Sequence, residues 1–395
     1  MDFTLSETQL HWQSIARTFA QQRVAPMARE MDESGEMPLS LVSEMAELGL
    51  LGGTIPKSLG GSEMDNLSLA LIYEELGRAC SSVRGFMTVH SSLVMQCIYQ
   101  WGTEEQKSRY LPPMARGEVI GCYALTEPEA GSDAASIQTV AKKSTYPSNP
   151  HSVYFLNGEK IWITNGNIAR VAIVFAKLDT LREKKPHEQV TAFLVRLNTP
   201  EIDRRRMPGQ ELGHRASDHA QIRFKNTSVS EDLVLGGEGM GFKVAMSALE
   251  HGRLGVAAGA LGVHQACMDA CIAFTKARKQ FGKRLADFEM IQSTLAEMKA
   301  SLDASRLLVY RAAWMKDQPP PDPLLKKEGG KLETSIAKYF ATEAACKAAS
   351  DAVLLHGGRG YSNEYPVERY YRDIKGLQIY EGTSHIQKIV IAREL

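Results

Sequence analysis

At 395 residues the chain exceeds one ordinary hydrophobic core, so two or three domains or lobes are expected. Apolar residues make up 44% and charged residues 23%, both near globular averages, which excludes a largely disordered protein. Lys plus Arg and Asp plus Glu each number 46, so nothing marks a nucleic-acid or membrane-surface protein, and a small molecule or a protein is the expected partner.

The first twenty residues mix Asp2, Glu7, Gln9, His11 and Arg17 with apolar side chains and do not read as a secretory signal. No run of about 18 apolar residues predicts a spanning helix. The cysteines (Cys80, Cys97, Cys122, Cys267, Cys271, Cys346) contain no CxxC pair and read as reduced, buried thiols, with the cytoplasm as the default compartment. Ser6 with Gln9 forms a capping-box pattern ahead of Leu10, Ile15 and Phe19 at helical positions. Helical patterning continues over Leu41–Leu51, Leu67–Ala79, Ser91–Trp101 and Glu104–Met114, with Leu59-Gly60-Gly61 and Pro112-Pro113 as punctuation. Residues 1–120 therefore read as an N-terminal all-α domain.

The texture changes at Gly121. Val153–Leu156, the turn pair Asn157-Gly158 and Ile161–Thr164 read as strand, hairpin turn and strand. Val171–Leu178, Val190–Leu197 and Gln221–Phe224 add short strands, separated by polar loops that include Ser144–Ser152 and Thr180–Gln189. Residues 121–235 are expected to form a barrel-like antiparallel β domain. From residue 236 the pattern is helical again: Ile291, Leu295, Met298, Leu302 and Val309 recur at helix spacing, Pro319-Pro-Pro-Asp-Pro breaks the chain, and a helix covers Thr334–His356. Residues 236–395 are expected to form an antiparallel four-helix bundle, completing an α+β multidomain chain.

Several chemistries lack their signatures. There is no GxxxxGK[ST], no GxSxG and no HExxH or His/Cys cluster, so neither a P-loop, a nucleophile elbow nor a metal is expected. Gly236, Gly237, Gly239 and Gly241 miss the GxGxxG spacing of a dinucleotide fold. A redox cofactor must then be held by another architecture.

Three stretches stand out. Cys122-Tyr-Ala-Leu-Thr-Glu-Pro-Glu-Ala-Gly-Ser-Asp133 joins an apolar run to a loop of small residues whose amides could approach a ligand, although an ordinary turn has the same composition. In Gly158-Glu-Lys-Ile-Trp-Ile-Thr-Asn-Gly166 a Trp near a Thr could cover a planar ring, although a strand Trp is more often core. In Ile379-Tyr-Glu-Gly-Thr-Ser-His-Ile-Gln387, Thr383 or Ser384 reads as a helix cap, and Glu381 as a carboxylate just ahead of a helix N-terminus. A base with a raised pKa there requires desolvation to oppose the helix dipole.

In this order and with these separations, the three stretches resemble the acyl-CoA dehydrogenase family. Arg278-Lys-Gln-Phe-Gly-Lys283, His356-Gly-Gly-Arg-Gly-Tyr361 and Tyr365-Pro-Val-Glu-Arg-Tyr-Tyr-Arg-Asp373 extend the resemblance over essentially the whole chain. It implies FAD-dependent α,β-dehydrogenation of an acyl thioester, with Glu381 as base, hydride passing from the β-carbon to the flavin, and electrons going on to an electron-transfer flavoprotein. It implies a homotetramer with one FAD per subunit. Tyr123, Leu125, Thr126 and Ser132 would line flavin and thioester, and Trp162, Ile163 and Thr164 would cover the isoalloxazine. Arg278, Gln280, Phe281, Gly357 and Gly358 would reach the FAD of a neighbouring subunit, and Thr383 and Ser384 would meet the flavin end. Ser132, Glu250, Arg253, Tyr380 and Gly382 would form the substrate site.

Some relatives carry the base immediately before the arginine matching Arg253; that position here is Gly252, which cannot serve, and Glu250 is two residues away. The family's frequent Gln three residues before Gly357 is Leu354, which removes one polar contact to the cofactor. The resemblance leaves open a thioester carried on acyl carrier protein rather than CoA, an oxidase using O₂, and a catalytically silent relative. Acyl chain length is not legible: Met87, Leu93 and Met95 are candidates for the acyl pocket or for plain core, and the stretch Lys142–Ser152 has no assigned role.

Overall fold

The computed structural model describes residues 4–146, 149–318 and 330–395. Helix α1 (Glu7–Phe19) opens on the expected box: the Gln9 amide donates to the Ser6 hydroxyl at 3.2 Å, and the Ser6 amide to the Gln9 side chain at 2.9 Å. Its inward stripe is Trp12, Ile15, Ala16 and Phe19. Leu10, expected on that stripe, is exposed. It stands two residues from Trp12, about 200° around the helix at 3.6 residues per turn.

Helices α2 (Ala25–Ser34), α3 (Ser40–Glu47) and α4 (Asn66–Ala79) follow. The stretch expected as Ser91–Trp101 belongs to a longer helical run: α5 (Ser81–Met87), a π-helical segment over Thr88–Met95, and α6 (Gln96–Trp101). In α7 (Glu104–Ala115), Pro112 and Pro113 sit inside the last turn rather than ending the helix before them. Only the final turn loses hydrogen bonds there, so α7 survives with two prolines.

The middle sheet contains β1 (Gly121–Ala124), β2 (Val140–Tyr146), β3 (Asn149–Thr164), β4 (Val171–Leu178), β5 (Val190–Arg196), β6 (Ile202–Arg206), β7 (His219–Ser230) and β8 (Val234–Leu235), with the short helix α8 (Pro186–Gln189) before β5. The order is β6-β7-β3-β2-β4-β5-β8, with β1 beside β4. Pairing is antiparallel except for β1–β4 and β2–β4, which are parallel.

The expected hairpin at Asn157-Gly158 is absent: β3 runs through both residues as one strand, paired with β7 on either side of a register shift between Leu156 and Gly158. The pair marks a bulge. A Cβ on Gly158 would stand 2.4 Å from Thr139 Oγ1 and 2.7 Å from Thr139 Cα, so glycine is needed for close approach to β2's end rather than for a turn.

The C-terminal third comprises α9 (Gly241–Ala277), α10 (Glu289–Asp317), α11 (Lys331–His356), α12 (Val367–Ile379) and α13 (Ser384–Arg393). The expected break at Pro319–Pro323 lies outside the described residues. Helix α9 has the length and apolarity of a membrane span, yet it is mostly buried against α4, α10, α11 and α12. One core joins α1–α4 to these bundle helices. A second lies between α6, α7, the start of α9 and one face of β1, β4 and β5, and a third covers the opposite face.

Candidate active site

Between α12 and α13 the backbone passes through Tyr380-Glu381-Gly382, with Glu381 left-handed at φ 57° and Gly382 at φ 90°. A non-glycine residue held there costs on the order of 1–3 kcal/mol and persists only where its surroundings over-determine it. Four side chains from four places do so. Arg253 donates to the Glu381 carbonyl at 3.3 Å, and Gln387 donates to the carbonyls of Glu381 (3.2 Å) and Gly382 (2.9 Å). Lys338 donates to the Gly382 carbonyl at 2.8 Å, and Arg84 donates to the Tyr380 hydroxyl. His214 meets the Tyr380 ring edge-on at 5.7 Å. Thr383 caps α13 by accepting from the Ile386 amide at 3.3 Å, whereas Ser384 is tied to Glu343 at 2.6 Å.

Glu381 Oε2 is fully buried and has no hydrogen-bond partner among the described residues. Burial pushes the carboxyl up to about 7, against the opposing pull of Arg84, Lys338 and Arg253, so desolvation outweighs the three cations. The Glu381 N–H also donates to no described residue. Directly beneath is Gly252 of α9, where an added Cβ would lie 2.1 Å from Oε2. The two family positions for a base thus converge on one point in space. Glu250 lies on the same helix, half-buried. Because a base acts as the carboxylate, kcat/KM is expected to rise with pH through about 7 and to level off above it. A pH–rate profile flat from about 5.5 to 8.5 would contradict this assignment.

The first two stretches meet through a buried ion pair. Lys160 on β3 reaches Glu127 at 2.7 Å and the Leu125 carbonyl at 3.0 Å, and both side chains are buried. Burial pulls the ammonium down to about 8; Lys160 and the amides of Gln138 and Thr139 keep the Glu127 carboxyl below its usual range despite its own burial. The Ile161 amide adds a bond to the Thr126 carbonyl at 2.9 Å. Replacing Lys160 by Met strands a buried carboxylate and is expected to cost about 3–5 kcal/mol, read as a fall in Tm. Lys160→Met with Glu127→Gln is expected to recover part of that loss, because the amide oxygen still accepts from the Gln138 and Thr139 amides.

This clamp sets Trp162, left-handed at φ 57° and 51% exposed, at the end of β3 with the half-buried Thr164. Asn165 then bonds the Phe86 and Gly121 carbonyls, joining the strand to α5 and β1. Ile163 is buried in the sheet core, Leu125 is buried, and Tyr123 points inward, donating to the Ala245 carbonyl at 3.1 Å and packing on Phe175. Ser132 is exposed, beside Gly131 with open space around it.

The remaining predicted residues lie elsewhere. Arg278 follows the last residue of α9, roughly 38 Å along the axis from Arg253 at 1.5 Å per residue. With Gln280 and Phe281 it forms an exposed hairpin; Phe281 is left-handed at φ 50° and 94% exposed. Phe274 stacks on His356 at 4.2 Å, bringing Gly357 and Gly358 to the same end, again with open space around both. Leu354 is exposed there. Met87 and Met95 are core, while Leu93 lies against Gly252 beside Glu381.

A half-exposed indole at a strand end is the kind of surface that fits one end of a flavin. An uncovered Phe beside open glycines fits the remainder of a cofactor shared between copies. Among the described residues no group of His, Cys, Asp and Glu could hold a metal ion. Arg84, Lys338, Gln387 and the Lys160–Glu127 pair were not singled out from sequence. Lys338 had a signal: it falls on the buried small-residue stripe of α11 with Thr334, Ala337, Ala341 and Ala345.

Models of the acyl-CoA dehydrogenase N-terminal, middle and C-terminal domains match residues 6–118, 122–227 and 239–395. The chain belongs to the acyl-CoA dehydrogenase family and is an FAD-dependent oxidoreductase. It is 40% identical to a probable acyl-CoA dehydrogenase of Bacillus subtilis (strain 168), over 100% of both chains. It is 38% identical to the mitochondrial short-chain specific acyl-CoA dehydrogenase of Rattus norvegicus, over 99% of this chain and 90% of that one. Butyryl-CoA dehydrogenase from Megasphaera elsdenii superposes with a TM-score of 0.93 at 38% identity, covering 100% and 99% of the two chains. A chain from the structure of an electron transferring flavoprotein of Acidaminococcus fermentans gives 0.92 at 36%, covering 100% and 99%.

Proposed function

We propose that this chain oxidises the α,β bond of a short-chain acyl-CoA to the 2-enoyl thioester, with Glu381 removing the α-proton. The observation that carries this reading is the buried, unpartnered Oε2 of Glu381, raised to a pKa of about 7. A free carboxylate is too weak a base for an α-hydrogen, so the developing enolate needs donors at the thioester oxygen. The unengaged Glu381 N–H is one such donor. Arg253 and Gln387 hold the peptide that follows it, through the Glu381 carbonyl. Bound FAD supplies the acceptor for the hydride leaving the β-carbon.

Short chain length is supported by the names of the relatives and by the wall behind the base. The bulky, charged CoA stays on the open side, so the acyl end points inward. A Cβ on Gly255, one turn beyond Gly252, would already stand 2.9 Å from Thr88 Cγ2 and 3.2 Å from Tyr73 Cε2. Tyr73 is locked there by a 2.7 Å hydrogen bond with Ser92. Thr88 and Tyr73 thus close the space against α9 one turn beyond the base. An electron-transfer flavoprotein is the proposed acceptor, and a homotetramer the proposed assembly, with Arg278, Gln280, Phe281, Gly357 and Gly358 completing a neighbour's FAD site.

The test is anaerobic titration of the purified flavoprotein with acyl-CoAs of graded length and with the same acyl groups on a carrier protein. Bleaching of the flavin bands by butyryl-CoA, fading with longer chains, is expected. Bleaching by carrier-bound groups alone would transfer the enzyme to a biosynthetic pathway. No bleaching by any thioester would overturn the reading.

A further inference from the structure

We infer that Lys338 of α11 is a positioning residue for the base: its ammonium pins the Tyr380-Glu381-Gly382 loop by its carbonyls and sets a positive charge beside the carboxyl. The inference rests on Glu381 being the base. Lys338 is fully buried, and Nζ donates to the carbonyls of Gly382 at 2.8 Å and Gln378 at 3.4 Å. No carboxylate lies within ion-pair distance of it among the described residues, although buried ammonium groups ordinarily have one. The two carbonyls bracket the loop: Gln378 is in the last turn of α12, and Gly382 is the residue after the base. One donor thereby joins the end of one helix to the approach of the next across the strained residue.

The charge environment is unbalanced in the same direction. Facing Glu381 are Arg84 from α5, Arg253 from α9 and Lys338 from α11, with the neutral phenols Tyr73, Tyr123 and Tyr380. Facing Lys338 are Glu381, Arg253 and, farther along α11, Glu343; Glu250 lies near Arg253. Burial pulls the ammonium down to about 7, with Glu381 opposing that shift. Burial thus brings the Lys338 ammonium into the range where the base works.

The two roles separate in a pair of substitutions. Lys338→Met removes both the pin and the charge, and Lys338→Arg keeps a permanent charge. In the FAD-loaded enzyme, Lys338→Met is expected to move the kcat/KM midpoint up by about one pH unit, a roughly tenfold loss near pH 6. Lys338→Arg is expected to move the midpoint down. Opposite shifts, with flavin content and KM near the parent's, would not arise from a general packing defect. Midpoints of both variants coinciding with the parent's would overturn the inference. If Lys338→Met does not fold, absence of the downward shift in Lys338→Arg overturns it alone. Glu381→Gln serves as the control: if it remains active, the reading of the base fails, whereas an inactive Glu381→Gln with unshifted Lys338 variants defeats only the present inference.

Discussion

Glu381→Gln is expected to lower kcat by about 10²–10⁴-fold while flavin content and thioester binding persist. The amide keeps the shape and the left-handed backbone but accepts no proton from the α-carbon. The same substitution is expected to stabilise the protein at alkaline pH. Burial raises the carboxyl from 4.5 to about 7. Its favourable contribution is therefore complete below about 4.5 and is lost as pH rises through about 7. A neutral amide does not suffer that loss. The variant's Tm should exceed the parent's above pH 7, and the difference should vanish at acid pH. Activity within tenfold of the parent's would remove Glu381 from the mechanism.

Gly252→Ala is expected to cost about 100-fold in kcat, because displacing a reacting group by about 1 Å carries that penalty. The new methyl would stand 2.1 Å from Oε2, 2.6 Å from Cδ of Glu381 and 2.6 Å from Leu93 Cδ2. The loop backbone is held by Arg253, Lys338 and Gln387, so the carboxyl must swing instead. Elsewhere in a helix, Gly→Ala gains about 1 kcal/mol. A higher Tm with full activity would show that the methyl finds room and the close approach is relieved. In the Glu381→Gln background the added methyl should change kcat little, since the step it disturbs is already lost.

The sequence made the helix–sheet–helix order legible because each segment carries its own period, and the Ser6–Gln9 and Thr383 caps were readable because a cap is a contact between near neighbours. Asn157-Gly158 misled for the same reason. Local turn chemistry cannot show that β7 pairs across both sides and that Thr139 leaves no space for a side chain. The site divided likewise. Glu381 and Trp162 stood in recognisable stretches, but their supports come from far away: Arg84 is 296 residues from Tyr380, and Lys338 is 44 from Gly382. Such pairs leave no periodic trace, and only the misplaced charge on the alanine stripe of α11 pointed to one of them. Tyr123 stood in a recognisable stretch, but that its ring packs on Phe175 of β4 was not legible, because that contact spans distant residues.

Glu381, Trp162 and Phe281, one from each functional region, all hold left-handed backbone without being glycine. For a directed-evolution campaign this has a practical consequence. Glycine at any of the three relieves the conformational penalty, by on the order of 1 kcal/mol. Selection for thermal tolerance alone should therefore enrich glycine at these codons. The fittest survivors of such a screen would be well-folded proteins stripped of the proposed base and of the aromatics proposed to meet FAD. A stability screen on this scaffold needs a turnover gate at every round.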